Sequence, residues 1–216
     1  MESPKEVNIH HNKIEKPHII IVEGNDESVF FNRLTKTLQL EVQITSIDGK
    51  TNFKKELASL VLRSEFNIVT HMAIILDSDK EEKAAFDSIC QNLANRGLPA
   101  PTAVGEIAEN DGKRIGIYLM PGAGNQGALE ELLLDCISNT HPLDCIAPYW
   151  QCLESLAGEE QIKLPKNRMK FKLRTLLAAM EEDTRSIGQA MDKGYIDVNH
   201  PNLDPLRTFL RKLFAP

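Results

Sequence analysis

The chain has 216 residues and a formal net charge of −6, which excludes a protein drawn to nucleic acid or anionic membrane by an overall basic field. At 42% hydrophobic residues it can bury the core of one large domain, so global disorder is excluded. No apolar run approaches the roughly 20 residues of a membrane-spanning helix, and Cys90, Cys136, Cys145 and Cys152 form no C-x-x-C pair, so they are expected to be reduced thiols.

Residues 1–16 are polar, lack the apolar centre of a secretory signal, and are expected to be a loose leader of a cytoplasmic protein. His18–Val22 is a continuous β-branched run, the pattern of a strand covered on both faces. It breaks at Glu23-Gly24, and a helical pattern follows to about Leu38. Glu41–Ile47 alternates as a second strand, Asp48-Gly49 turns the chain, and 52–66 predicts an amphipathic helix capped by Thr51. His71–Leu76 is a third buried strand ending in Asp77-Ser78-Asp79, and a helix over 80–96 closes at Gly97. Three strand–helix repeats define an α/β fold, with a mostly parallel central sheet flanked by helices. Strands at 103–107 and 114–120 are joined by the hairpin signal Asn110-Asp111-Gly112. A glycine-rich loop over 121–127 follows, and the remainder is mainly helical. The expected organisation is an α/β core over 17–135 and a helical extension over 136–216 packed on it.

In open α/β sheets ligands bind beyond the carboxyl ends of the strands. Glu23 directly follows the first strand, and Asp77 and Asp79 follow the third. Residues two apart on an extended chain point the same way. Crowded carboxylates either raise a pKa or recruit a cation, and an all-oxygen set suits Mg²⁺ or Mn²⁺. Glu27 stands one helical turn after Glu23, with Asp26 beside it. Glu130 and Glu131 follow the glycine loop and are candidates for a second metal site, with a solvated helix face as the competing reading. Helix capping competes for Asp79 (with Glu82) and for Asp26, but accounts for neither Asp77 nor Glu23.

A glutamate after one buried strand (Val22-Glu23-Gly24) and Asp-x-Asp after a later one (Asp77-Ser78-Asp79) resemble the Toprim domain of topoisomerases, bacterial primases, OLD-type nucleases and recombination proteins. Residues 18 to about 120 carry that resemblance. Further segments are similar to the small stand-alone Toprim-like proteins grouped as DUF3226. They are Ile47-Asp-Gly-Lys-Thr-Asn-Phe53, Met120–Leu134, Lys166–Leu177, and Gly194–His200 with Leu206–Phe214. The resemblance implies a Rossmann-like Toprim fold. It implies Glu23 as general acid/base or metal ligand, Asp77 and Asp79 as Mg²⁺ ligands, and Glu27 and Glu130 as further metal-site acids. A lysine of the later helix, Lys166 or Lys170, would steady transition-state charge. The implied activity is Mg²⁺-dependent cleavage of DNA or RNA. The alternative is a non-catalytic nucleic-acid-binding or protein-docking module of a defence or repair system. With no ATPase, topoisomerase or primase module recognisable, strand passage and primer synthesis find no support.

The tract Lys163–Arg174 holds six basic residues and no acid. It fits a phosphate-backbone track or a solvated surface equally. The glycine loop lacks the Lys-Ser/Thr of a P-loop, which favours a plain turn. His10, His11, His71, His141 and His200 have no partner at ligand spacing. Tyr149 and Trp150 are read as core packing. Ser78 has no histidine base placed for it, which argues against a hydrolase triad. A haloacid-type phosphohydrolase needs more than Asp77-x-Asp79, and its Ser/Thr and Lys motifs are not evident.

Overall fold

The computed structural model describes residues 13–78, 81–122, 124–137, 142–159, 161–182, 184 and 186–215. Asp79, Lys80, Ala123, His10, His11 and His141 lie outside them, as does most of the leader.

The first apolar run forms β1 (His18–Val22), followed by α1 (Asn25–Thr37) and β2 (Gln43–Ser46). After α2 (Phe53–Val61) come β3 (His71–Asp77) and α3 (Glu82–Ala94). A hairpin of β4 (Ile107–Asn110) and β5 (Lys113–Met120) precedes α4 (Leu129–Asp135). The chain ends in α5 (Leu143–Gly158), α6 (Arg168–Ala178), α7 (Ile187–Asp192) and α8 (Asp204–Phe214). The sheet order is β2-β1-β3-β5-β4, with β4 alone antiparallel.

The continuous apolar strands are explained by two cores. Ile20, Val22, Ala73, Ile75, Tyr118 and Met120 face one side, with α1 and the C-terminal helices. Ile19, Ile21, Met72, Ile74, Leu76 and Ile117 face the other, with α2 and α3. Period-two alternation therefore buries the inner positions of β1, β3 and β5 on both faces, leaving only strand ends such as His18, His71 and Asp77 half-buried. The connection from β1 to β2 covers one face and that from β2 to β3 the other. β2 and β3 thus flank β1, and a crevice opens between the carboxyl ends of β1 and β3.

Two predicted elements differ. The strand expected over 103–107 lies at Ile107–Asn110 instead. The two-residue turn Asp111-Gly112, both with positive φ, fixes the pairing Asn110↔Lys113. The strand is therefore the segment next to the turn. The helix expected over 52–66 ends at Val61, with Asn52 rather than Thr51 at its start, and a separate 3₁₀ turn spans Ser64–Ile68. Leu57 and Phe66 are both buried. Nine residues at about 100° each would set them on opposite sides of one helix, so only a break buries both. The glycine expectation holds at Gly97: its φ is +67°, and Leu98 N–H reaches back to the Leu93 carbonyl at 3.1 Å, closing α3 in a Schellman turn.

At the amino edge of the sheet, His18 and His71 are paired in register, their rings 4.5 Å apart and against Phe214 of α8. Burial holds the pKa of both below the ordinary imidazole range; for His71 the charges of His18 and Arg114 lower it further. The main chain of Glu41 opposes this at His18, and Glu109 opposes it at His71. A histidine with a depressed folded pKa binds protons more readily when unfolded, so its penalty appears as pH falls. The melting temperature is therefore expected to drop between pH 6.5 and 5 by more in the wild type than in His71→Phe. Parallel melting curves against pH for the two proteins would contradict this.

Candidate functional site: an acidic cleft at the switch point

The crevice between β1 and β3 forms a cleft of about 440 Å³ lined by Glu23, Asp26, Glu27, Asp48, Asp77 and Glu130, with Asn167, Lys170 and Arg174 opposite. Glu23 enters from the end of β1, and its Oε2 is buried. Its carbonyl accepts from Gly49 N–H at 2.9 Å and from the Ser46 hydroxyl at 3.3 Å. These bonds hold the turn after β2, and with it Asp48, beside the Glu23 backbone. Asp48 (φ +51°) and Gly49 (φ +102°) adopt the left-handed conformations this reversal needs.

Asp77 ends β3. Its Oδ1 accepts from Leu129 N–H at 3.2 Å, and its carbonyl accepts from Lys50 Nζ at 3.0 Å. Ser78 is buried, and its hydroxyl is committed to the glycine loop. It accepts from Gly127 N–H at 3.1 Å and faces the carbonyls of Asn125 and Gly127. Ser78 is a tether, consistent with the absence of a base. Further amides here are taken: Gly124 N–H by Glu82 at 3.1 Å, Asn125 N–H by the Gly122 carbonyl at 3.0 Å, and Ala128 N–H by Glu131 at 2.9 Å. Those donors are satisfied internally, the pattern of a plain turn.

α1 begins at Gly24 without a side-chain cap, and Glu27 folds back on its own main-chain N–H. A Cβ on Gly24 would stand 3.0 Å from the Glu27 carboxylate, so the glycine leaves room for it. Glu27 and Glu130 are both buried, and Glu130 is thus no solvated helix residue. Glu131, its neighbour, is the one used in capping. Lys170 joins the elements: its Nζ is 2.7 Å from Asp26 and 3.5 Å from Glu130, and Arg174 also approaches Asp26 at 3.5 Å. Asp26 is an ion-pair partner, and the α1 cap is Gly24. Lys166 precedes α6, is exposed, and does not line the cleft.

Burial raises the Glu27 pKa. Its own amide pulls it back, the charge of Glu130 raises it, Lys170 lowers it and Asp26 raises it. Burial pulls Lys170 down, but its bond to Asp26 and the charges of Asp26, Glu130 and Glu27 outweigh this and raise it. Lys170 therefore stays an ammonium, suited to neutralising charge and not to accepting a proton. The thiols are unremarkable by contrast: all four cysteines are free, and burial pushes Cys136 up to about 12.

A carboxyl whose folded pKa is raised favours folding only while protonated; its penalty develops as pH rises from the unfolded value through the folded one. Glu27→Gln is therefore expected to raise the melting temperature of the metal-free protein at pH 7.5. The gain should vanish at pH 4, and a pH-independent difference would contradict it.

Among the described residues no group of three His, Cys, Asp or Glu side chains is drawn together as a finished metal-ligand set. Asp79 lies outside those residues. The donors that line the cleft are nonetheless carboxylate oxygens without thiolate or imidazole, the chemistry of a Mg²⁺ or Mn²⁺ site. Of the predicted residues, Glu23, Glu27, Asp77, Glu130 and Lys170 share this cleft, and Lys166 does not. The sequence reading missed Asp48, Lys50 and Asn167. The signal for the first two was their place after β2, at the same sheet edge as Glu23.

Fold and cleft together define an α/β protein with a carboxylate-lined switch-point cleft, closed on one side by its own C-terminal helices. The chain belongs to the DUF3226 family, described as "Protein of unknown function", whose model matches residues 17–215. No curated protein matches it. Two solved structures of the C-terminal region of the Xanthomonas campestris pv. campestris OLD protein are similar. The one phased with iodine has 15% identity, covering 93% of this chain and 96% of that one, with a TM-score of 0.49. The one phased with mercury has 14% identity, covering 93% and 97%, with a TM-score of 0.45. Among the described residues no helix is long and apolar enough to cross a membrane.

Proposed function

We propose that the protein is a Toprim-type, divalent-metal-dependent phosphodiesterase acting on DNA or RNA. The observation that carries this reading is the convergence of Glu23, Glu27, Asp77 and Glu130 on one cleft that also holds Lys170 and Arg174. Glu23 and Asp77, with Asp79 beyond the described residues, would hold Mg²⁺ or Mn²⁺, and Glu27 and Glu130 would extend the set. The bound ion would supply Lewis-acid polarisation of the phosphate and activation of water. Lys170 faces the developing negative charge as a permanent cation, and the preformed ion pair with Asp26 keeps its position fixed. Arg174, on the same face of α6, adds a second cation toward solvent.

The experiment is plasmid and oligonucleotide cleavage with Mg²⁺ or Mn²⁺, in the wild type and in Glu23→Gln. Cleavage that needs metal and is lost in the variant is the expected result. Equal activity in the two proteins, or cleavage surviving EDTA, would overturn the reading. The non-catalytic alternative is favoured by one observation, a basic helix face that stands apart from the cleft. It predicts nucleic-acid binding that survives Asp77→Ala without any cleavage by the wild type.

A further inference from the structure

The six basic residues between Lys163 and Arg174 divide between two settings. Lys170 and Arg174 face the cleft and pair with Asp26. Among the described residues no carboxylate forms an ion pair with Lys163, Lys166, Arg168 or Lys172. Beside them α5 and α6 build an aromatic wall. Trp150, 5% exposed, lies 4.9 Å from the Phe171 ring. Tyr149 is 5.8 Å from Phe171 on the same wall and is 50% exposed, correcting the expectation that it is core. Arg168 stands over Trp150 at 5.3 Å. An aromatic ring is thus packed from behind and left half open in front, beside cations that pair with no carboxylate among the described residues. Glu154 of α5 accepts instead from the Trp150 indole N–H at 2.6 Å.

We propose that this α5–α6 face is a platform for single-stranded nucleic acid, with a base stacked on Tyr149 and flanking phosphates on Arg168 and Lys172. The same strand would continue along α6, past Lys170, into the acidic cleft, so the platform rests on the cleft reading for its purpose. Three physical points select this occupant. A ring offers its face only to an unpaired base, because a duplex hides both faces of each pair. The protein's net charge of −6 repels polyanions elsewhere, so a strand is attracted only where the basic residues cluster. A half-exposed ring on α5 beside the basic residues of α6 also matches a chain that carries both bases and phosphates, whereas an acidic peptide offers charge with no obligatory ring.

The test uses the full chain in EDTA, so that binding is read without cleavage. Fluorescence anisotropy would follow labelled 15-mers: single-stranded DNA, single-stranded RNA, the DNA duplex, and abasic DNA of equal charge. Tyr149→Ala is expected to weaken single-strand binding by about tenfold, within the range of base–aromatic stacking, and Tyr149→Phe to keep it. Lys172→Gln should reduce the salt slope by about 0.7. The relative affinities of the DNA and RNA strands assign the sugar preference. Identical affinity in wild type and Tyr149→Ala overturns the platform, as does duplex or abasic DNA bound as tightly as the normal strand. So does equal competition by poly-glutamate. Tyr149-dependent binding without metal-dependent cleavage would refute the catalytic reading alone. Cleavage with Tyr149-independent binding would refute the platform alone.

Discussion

Asp77→Asn is expected to lower metal-dependent cleavage by at least about 100-fold while leaving the fold intact, the loss typical of removing a group that acts on transition-state charge. Asparagine keeps the Oδ1 that accepts from Leu129 N–H, so the link between β3 and α4 survives. What disappears is the negative charge at the carboxyl end of the strand next to β1. Lys50 Nζ donates to the Asp77 main-chain carbonyl at 3.0 Å, a bond the substitution keeps. A melting temperature within a few degrees of wild type, together with lost cleavage, is the predicted pair of results. Unchanged cleavage would remove Asp77 from the chemistry, and joint loss of fold and cleavage would reassign it to structure.

The largest stability effect is expected at Gly116 in the middle of β5. A Cβ there would stand 2.7 Å and 2.8 Å from the Phe209 ring and 3.4 Å from Leu213, both on α8. Glycine in a strand is ordinarily a weakness, and alanine would recover about 0.5–1 kcal/mol of unfolded-chain entropy. Here the contact decides the sign. Phe209 is 3% exposed and packs on Tyr118 at 5.4 Å, so the ring has nowhere to retreat. Overpacking of this kind costs about 1–3 kcal/mol, and the net expectation for Gly116→Ala is a loss of about 2 kcal/mol, or about 4–8 °C. Phe209→Leu alone should also destabilise, because it hollows the core. The double variant Gly116→Ala/Phe209→Leu should be more stable than the two losses summed, by about 1 kcal/mol. Strict additivity in denaturant unfolding would show that the ring does not set the cost.

What the sequence made legible follows from the range of the interactions involved. β1 and β3 were legible because strands buried on both faces carry unbroken β-branched runs. Glu23 and Asp77 were legible with them, since a residue at the carboxyl end of a parallel strand has its position fixed by the strand. The register of β4 was not, because it depends on which two residues form the turn. Nor was the break after Val61, which exists to bring Phe66 under the sheet. Glu130 was only half legible: helix position could not tell a buried carboxylate from a solvated one. The difference between Lys170 and Lys166 rests on contacts with Asp26 and Glu130, well over a hundred and some forty residues away in the chain, respectively. Gly116 carried a signal that went unused, since a glycine inside a strand marks a close approach by another element.

The central claim is that the switch-point carboxylates form one divalent-metal site. An Mn²⁺ titration at pH 7.5, followed by the electron paramagnetic resonance signal of the free ion, tests it most directly. The expected result is saturable uptake of Mn²⁺ by the wild type, competed by Mg²⁺ and lost in both Glu23→Gln and Asp77→Asn. Uptake that is equal in all three proteins, or no uptake by the wild type, would contradict it.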